Sequence, residues 1–284
     1  MKYSLLALCF AFLVSCSSSD DEKDYRVENE AEIAAYVAEH GLTAEKTASG
    51  LYYVIDEQGT GAQVTSTSNV TVTYKGYYIN GTVFDDSKDN LVSFNLQGVI
   101  QGWTEGLTYF KEGGKGMLLI PAHLGYGNKD YHGIPGGSVL IFEITVFSDE
   151  MIAEKNDADI LAYIEDEGLN ATKTESGLYY TIDVDGVGEQ PTEASKVTVA
   201  YTGYFLNGTK FSESVASGAP FNLGEDIIYG LKEGIPYFKV GGEGKLLIPA
   251  HLGFGSYNHN ISQSDVIPGG SVLIFDINLI SIDE

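Results

Sequence analysis

The residue types that most often perform chemistry in proteins form no recognisable catalytic or metal-binding pattern in this chain. The five histidines show no pair at helical spacing and no HExxH motif, so they predict no metal site. The chain contains no GxSxG nucleophile motif, no phosphate-binding GK[ST] loop and no D-x-[DN]-x-[DN]-G calcium loop. His123 and His251 lie in a repeated PAHLG turn, where we expect bonds to backbone groups. We therefore expect a function that uses no metal, cofactor or nucleophile.

Aromatic residues are the more informative set. Trp103 is the only tryptophan in the chain, and it lies in a short apolar helical pattern. Taken alone, Tyr74 and Phe142 on alternating strands would be core residues, and Asp85 would be a turn or surface carboxylate. Any role beyond packing must therefore be argued from the joint spacing of these residues.

The composition predicts an ordered, acidic protein made of strands and turns. Of the 284 residues, 43% are hydrophobic and 12% aromatic, which excludes wholesale disorder. The 34 glycines favour many short strands joined by turns over a helical bundle. The formal net charge is −24 and no basic block occurs, so we do not expect nucleic acid as a partner. Two cysteines are too few for a disulfide framework or a cysteine-based metal site.

The sequence contains a duplicated domain. Three strings occur twice in the same order: SGLYY at 49–53 and 176–180, LLIPAHLG at 118–125 and 246–253, and IPGGSVLIF at 134–142 and 267–275. Their separation of 127 to 133 residues is the size of a whole domain, not of a solenoid repeat. Because the separation grows along the chain, the second copy has gained one residue before Ile227 and five in the loop after Phe254.

Each copy predicts an α+β domain. Short apolar helical patterns around Ile33 and Ile160 open the copies, and alternating strand patterns follow. Asn-Gly pairs at 80–81 and 207–208 predict hairpin turns. The only other predicted helix is short, at about 102–110. We expect many antiparallel strands around this short helix in each of two tandem domains, preceded by a short N-terminal helix.

The N-terminal segment predicts export and a lipid anchor. Lys2 precedes an apolar run at 5–14 that is too short to span a bilayer and is typical of a signal peptide. The run ends in Leu-Val-Ser-Cys, which resembles the bacterial lipoprotein processing box and implies lipidation of Cys16. The alternative is a cleaved secretory signal with a chance cysteine. Serine follows Cys16, and this resemblance implies attachment to the outer membrane. The protein would lie at the periplasmic face of that membrane or at the cell surface, and the acidic run behind the cysteine resembles the export signal of surface lipoproteins.

These patterns predict how the chain is divided. The predicted divisions are a signal peptide at 1–15, a flexible acidic tether at 16–29, a first domain at 30–150 and a second at 155–284, with a short polar link at about 148–156.

Copy one contains six spaced motifs in a fixed order. They are V-x-V-x-Y-x-G at 70–76, Asn-Gly at 80–81, Phe-Asp at 84–85, Phe94 with V-I-x-G-W-x-x-G at 99–106, Tyr-Gly at 126–127, and I-P-G-G at 134–137 with Phe142. In this order they resemble the FKBP-type peptidyl-prolyl cis-trans isomerases, over about residues 49–147 and again over 176–282. The resemblance implies a curled antiparallel β-sheet wrapped around the short α-helix, with the prolyl ring of a substrate bound between them.

The resemblance also implies a role for each residue of this hollow. Trp103 would be the floor beneath the ring, Ile100 would donate its backbone N–H, and Tyr126 its hydroxyl. Asp85 would lie at the rim, oriented by a hydroxyl such as that of Tyr74. The implied walls are Tyr74, Phe84, Phe94, Val99, Ile134 and Phe142.

Copy two keeps the walls and loses the polar groups. Its corresponding residues are Tyr201, Phe211, Phe221, Ile227, Ile228, Ile267 and Phe275 for the framework, with Ser212 in place of Asp85, Leu231 in place of Trp103 and Phe254 in place of Tyr126. We expect a weak or inactive second hollow.

Rotation about an X-Pro bond explains why such a hollow would suffice for catalysis. Rotation breaks amide conjugation, with a barrier of about 18–20 kcal/mol, but it forms no covalent bond and transfers no proton. An apolar cup with a few hydrogen-bond donors that favour the twisted amide is enough. We therefore expect a prolyl isomerase that acts as a folding factor on proline-containing polypeptides outside the cytoplasm. The alternative is a non-catalytic chaperone module that grips proline-containing or unfolded chains.

Overall fold

The computed structural model describes residues 23–225, 227–261 and 266–283. The predicted signal peptide, Cys16 and the start of the predicted tether lie outside these ranges. Within them, no helix is both long enough and apolar enough to cross a bilayer.

The first domain is a seven-stranded antiparallel sheet with one helix on each face. Its elements are α1 (Arg26–Glu39), β1 (Glu45–Lys46), β2 (Tyr52–Glu57), β3 (Asn69–Tyr78), β4 (Val83–Asp86), β5 (Val92–Asn95), α2 (Gln101–Gly106), β6 (Lys115–Ile120) and β7 (Leu140–Val146). The strand order is β1-β2-β6-β7-β3-β4, and β5 also pairs with β3. This is the α+β arrangement that the sequence predicts.

The second domain repeats this plan. Its elements are α3 (Asp149–Asp166), β8 (Thr172–Lys173), β9 (Tyr179–Tyr180), β10 (Lys196–Phe205), β11 (Lys210–Glu213), β12 (Ala219–Asn222), α4 (Tyr229–Gly234), β13 (Glu243–Ile248), β14 (His259–Asn260), β15 (Val266–Ile267) and β16 (Leu273–Asp283). The seven-stranded sheet has the order β11-β10-β16-β13-β9-β8, with β12 paired to β10. The short strands β14 and β15 pair only with each other among the described residues, in the loop where the second copy is longer.

Two predicted boundaries differ from the structure. Residues 26–29, predicted as tether, form the first turn of α1, and residues 149–156, predicted as the link, form the first two turns of α3. Ser148 starts α3 by accepting a hydrogen bond from the N–H of Met151, and Ile152 is buried. The polar composition of these segments predicts exposed, irregular chain. In α3, however, the capping serine and the buried isoleucine are enough to stabilise the first turns of a helix whose later turns also bury apolar residues.

A buried asparagine fixes α1 to the sheet, and the duplicate fixes α3. Asn29 Nδ2 donates to the carbonyl of Gly137 at 2.9 Å, and its Oδ1 accepts from the N–H of Ala122 at 2.9 Å. Asn156 makes the same two bonds in the second domain, to Gly270 and Ala250. Each amide therefore satisfies two backbone groups of the loops on either side of it.

Two glycines bring α2 against the concave face of the sheet. A Cβ on Gly102 would lie 2.4 Å from Ile120 Cγ2, and one on Gly106 would lie 2.6 Å from Leu118 Cδ2. Only glycine permits so close an approach, and the stripe formed by Trp103, Leu107 and Phe110 is buried as predicted. The opposite face of the sheet is also covered at its centre, because α1 packs on it there.

The loop between β13 and β16 of the second domain contacts the first domain. The carbonyl of Ser256 accepts hydrogen bonds from Thr71 Oγ1 and from Ser93 Oγ, the latter at 3.2 Å. Asn258 Nδ2 donates to the carbonyl of Ser93 at 3.0 Å. A Cβ on Gly269 would lie 2.4 Å from Ser93 Oγ, so the two chains pass in close contact. The longer loop of the second copy thus joins the domains.

Candidate active site

Trp103 lies on α2 in the buried cluster between this helix and the sheet, where the sequence predicts the base of a hollow. Its indole is 4% exposed and packs edge-on against three rings, with centroid distances of 5.3 Å to Tyr74, 5.5 Å to Phe94 and 5.2 Å to Phe142. Its Nε1–H is buried without a hydrogen-bond partner in the described part of the chain. Ring packing therefore holds the indole in place.

The predicted wall residues belong to, or pack against, the buried cluster that contains this indole. Phe142 belongs to the same buried cluster as Trp103, and the partly buried Tyr74, Phe84, Phe94, Val99, Ile100 and Ile134 pack against that cluster. Phe84 and Phe142 pack edge to face at 5.5 Å. The structure thus brings together the apolar residues that the motifs select.

A tyrosine–aspartate pair lies at the rim. The hydroxyl of Tyr74 donates to Asp85 Oδ2 at 2.7 Å, which is the contact expected from the sequence. Burial, followed by this hydrogen bond and the charge of Asp85, raises the pKa of Tyr74 well above its ordinary value. Tyr74 therefore keeps its proton at physiological pH and remains a donor.

Tyr126 lies on the same rim. Burial is the main cause that raises its pKa, and the charge of Asp85 is the second, so the two side chains are near each other. The ring of Tyr126 stacks on Tyr131 with a centroid distance of 5.1 Å. Sequence reasoning omits Tyr131, which belongs to none of the six motifs. Tyr126 is a neutral hydroxyl donor at physiological pH.

Ile100 is the residue before α2. Its backbone is extended, with φ −61° and ψ 149°, and its carbonyl accepts the N–H groups of Trp103 and Thr104 at 3.0 and 3.2 Å. The start of the helix therefore fixes the peptide group between Ile100 and Gln101, and the N–H expected to face a substrate lies in the preceding peptide group, between Val99 and Ile100.

The two repeated strings meet beside this helix. His123 Nε2 donates to the carbonyl of Ser49 at 2.9 Å, and His251 bonds in the same way to Ser176, as the sequence predicts for a backbone role. Ser49 Oγ also donates to Glu105 Oε1 of α2 at 2.8 Å. The Ser49–Glu105 bond is missing from the sequence prediction, although the serine recurs in both copies. In the described ranges, no cluster of three or more His, Cys, Asp or Glu side chains could hold a metal ion.

The second domain has a hollow at the corresponding place. It is a cavity of about 740 Å³, and the nine residues identified from copy two all line it: Tyr201, Phe211, Phe221, Ile227, Ile228, Leu231, Phe254, Ile267 and Phe275. The hydroxyl of Tyr201 lies 3.2 Å from Ser212 Oγ, so a neutral pair replaces the Tyr74–Asp85 pair. Phe254 stacks on His259, where the first domain has Tyr126 on Tyr131.

Comparison with known proteins gives several relatives that are named FkpA. FKBP-type peptidyl-prolyl cis-trans isomerase FkpA of Buchnera aphidicola (subsp. Schizaphis graminum) is 49% identical over 102 residues, 35% of this chain and 40% of that protein. FkpA of Escherichia coli (strain K12) is 40% identical over 150 residues, 51% of this chain and 54% of that protein. The chain thus spans about half, or less, of the length of these relatives.

A solved structure bears the same name. The crystal structure of FkpA from Escherichia coli matches 43% of this chain and 60% of that chain, with 38% sequence identity and a TM-score of 0.40.

A family model matches both domains. The model for FKBP-type peptidyl-prolyl cis-trans isomerases matches residues 61–147 and again 188–280, which contain the two hollows and the short helices beneath them. Since these two matches cover more than half of the sequence, the chain belongs to the FKBP-type peptidyl-prolyl cis-trans isomerase family.

Proposed function

We propose that the protein catalyses the cis-trans isomerisation of X-Pro peptide bonds in the hollow of the first domain. The observation that carries this proposal is the indole of Trp103, which is enclosed edge-on by Tyr74, Phe94 and Phe142 beneath a rim with fixed hydroxyl donors. A flat apolar floor of this kind suits a prolyl ring.

The rim supplies what the twisted amide needs. In the twisted geometry the amide loses conjugation and its carbonyl is displaced. Hydrogen-bond donors that fit the displaced carbonyl therefore stabilise the twisted amide more than they stabilise the planar ground state. The backbone N–H of Ile100 and the hydroxyl of Tyr126 are the proposed donors. The apolar walls exclude water that would compete for the same carbonyl. No group in this scheme gains or loses a proton.

The first domain is proposed as the active one. The second hollow has Leu231 beneath the ring position and lacks both the carboxylate and the tyrosine hydroxyl of the rim. It therefore lacks the flat floor and one of the two proposed donors.

A graded pair of substitutions in the full chain tests this proposal. Trp103→Leu removes on the order of 1–3 kcal/mol of ring packing. We therefore expect kcat/KM for a proline peptide to fall roughly five- to 150-fold. Tyr126→Phe removes one neutral hydrogen bond of ~0.5–1.5 kcal/mol and should lower it about two- to thirteenfold. Wild-type activity in Trp103→Leu would place the reaction elsewhere.

A binding module without catalysis is the second candidate. The hollow of the second domain favours it, because a site without a flat floor or a rim carboxylate can still hold an apolar group. Failure of the wild-type chain to accelerate isomerisation of any proline peptide would make this the better description.

We further propose that the protein is anchored through Cys16 to the outer membrane, at its periplasmic face or at the cell surface, and acts there on exported polypeptides. The apolar run and the Leu-Val-Ser-Cys sequence support this location. Each acyl chain contributes ~0.8 kcal/mol per buried CH₂, and two or more chains make a stable anchor. Cys16→Ala should release the protein from membranes on cell fractionation, whereas sedimentation of this variant with membrane would contradict the anchor.

A further inference from the structure

The cavity of the second domain is larger than a prolyl ring requires. Its volume of about 740 Å³ falls within the range of roughly 300–1,000 Å³ of sites that bind small molecules or large side chains. Aromatic and aliphatic side chains make up most of its lining.

Leu231 leaves free the space that an indole would fill, and the fold keeps this space open. Leu231 stands where the first domain has the indole of Trp103. The helix cannot move inward to fill the gap, because Gly230 and Gly234 already touch the sheet: a Cβ on them would lie 2.4 Å from Ile248 Cγ2 and 2.6 Å from Leu246 Cδ1. A core that cannot relax retains its cavity.

The described part of the lining carries no carboxylate, lysine or arginine, and Tyr229 and Ile261 lie at its mouth. Among the described residues that line the cavity there is no aspartate, glutamate, lysine or arginine, although the chain as a whole carries a net charge of −24. The Tyr201–Ser212 pair and His259 are the polar groups nearest to it. Tyr229 and Ile261 at the mouth are 68% and 42% exposed. Exposed apolar residues around an apolar cavity indicate a binding site for an uncharged group.

The first domain holds the rim of this cavity in place. His259 and Ile261 belong to the loop whose Ser256 carbonyl and Asn258 amide are bonded to Ser93. These bonds restrict the loop from collapsing into the cavity.

We propose that the cavity of the second domain binds a bulky uncharged side chain, above all an aromatic one, from an extended polypeptide. A phenyl ring fills more of this space than a prolyl ring does, and its burial removes more apolar surface from water. We take the ligand to be a polypeptide because of the function proposed for the first domain, and this part of the inference rests on that proposal. The second domain then retains a chain by its aromatic residues while the first domain acts on its prolines.

Three peptides and the full chain test this inference. The probes are acetyl-Ala-Ala-Phe-Ala-amide, acetyl-Ala-Ala-Pro-Ala-amide and acetyl-Ala-Ala-Ala-Ala-amide, titrated into the protein while amide and indole N–H signals are followed by NMR. The phenylalanine peptide should shift the signals of Ile228 and Leu231 at concentrations that leave the Trp103 indole signal unchanged. The alanine peptide should shift neither.

A cavity-filling variant makes the test decisive. Leu231→Trp places in the second domain the ring that the first domain already accommodates, and it should weaken binding of the phenylalanine peptide at least tenfold. Val187→Trp adds the same ring at a fully exposed position and should bind as the wild type does. Equal affinity of wild type and Leu231→Trp, or equal binding of the phenylalanine and alanine peptides, would overturn the inference. Because the readout is binding, its result is independent of whether the first domain isomerises proline.

Discussion

The hydroxyl of Tyr74 is bonded to the carboxylate of Asp85 at a distance of 2.7 Å, and the ring of the same tyrosine packs edge-on against Trp103 at 5.3 Å. One side chain therefore links the rim of the hollow to its floor. The hydroxyl of the corresponding Tyr201 faces Ser212 instead, at 3.2 Å.

We expect Tyr74→Phe to lower kcat/KM for a proline peptide about two- to thirteenfold. Asp85 is exposed, so the lost hydrogen bond is worth only ~0.5–1.5 kcal/mol. Asp85→Ser, which copies the second domain, should have a similar effect. Because the two groups act through one bond, the double variant should lose little more than either single variant. A double variant whose loss equals the product of the two single losses would show that they act independently.

Alkaline pH should destabilise the protein through its buried tyrosines. Burial is the main cause that raises the pKa of Tyr77 far above its ordinary value, with hydrogen bonding to Tyr36 next. In the unfolded chain tyrosine ionises near pH ~10, so the stability that protonated Tyr77 contributes is complete below that pH. This contribution to the free energy of unfolding is lost as the pH rises from there toward the pKa of Tyr77 in the folded protein. The loss is at most about 1.4 kcal/mol per pH unit.

Urea denaturation at pH 9 and pH 11 measures this effect. The free energy of unfolding should fall less between these pH values in Tyr77→Phe than in the wild type. Tyr229→Phe, at an exposed position of the second domain, is the matched control. An equal fall in Tyr77→Phe and wild type would refute the assignment.

Asn29→Ala should destabilise the first domain by about 2–6 kcal/mol. The substitution leaves the N–H of Ala122 and the carbonyl of Gly137 buried without their partner, at ~1–3 kcal/mol each. Trp103, the only tryptophan, reports unfolding of this domain alone by its fluorescence. Asn156→Ala makes the same change in the second domain and should shift the fluorescence transition much less. Equal shifts from the two variants would show that the domains unfold as one unit.

Gly102→Ala should reduce both stability and activity. The added Cβ would lie 2.4 Å from Ile120 Cγ2, so α2 must move away from the sheet and carry Trp103 with it. Overpacking of this kind costs about 1–3 kcal/mol. Gly98→Ala is the control, because no atom lies within 4 Å of a Cβ at that position. Chemical denaturation and kcat/KM measured on both variants test the expectation, which fails if Gly102→Ala behaves like Gly98→Ala.

The apolar part of the site is predictable because its signals are local. Phe84, Phe94 and Phe142 lie on strands whose alternation fixes the face on which each side chain lies. The motif around Trp103 places the indole beside the two glycines that let the helix pack closely against the sheet. The spacing of copy two predicts the residues of the second hollow in the same way, but not its volume, which depends on whether α4 can close on Leu231.

The polar anchors are less predictable because their partners are distant in sequence. Asn29 resembles any surface residue of an amphipathic helix, yet its two partners are 93 and 108 residues away. The bond between Ser93 and Asn258 spans 165 residues, and the sequence shows only that the second copy has a longer loop. The repeated strings predict a backbone role for His123 but do not identify its partner, Ser49.

Strand β5 is an edge strand of the first sheet, paired with β3 alone among the described strands. The N–H of Leu96 bonds to the carbonyl of Ser68, and because antiparallel ladders alternate, the backbone groups of Ser93 face away from β3. Unpaired groups at a sheet edge are a template for strand addition by another chain. In β5, the carbonyl of Ser93 accepts a hydrogen bond from the side-chain amide of Asn258. The corresponding residue of β12 is Pro220, which has no backbone N–H to donate. The neighbouring domain thus protects one edge against aggregation and a proline protects the other, so separating the domains would expose the first edge and leave the second protected.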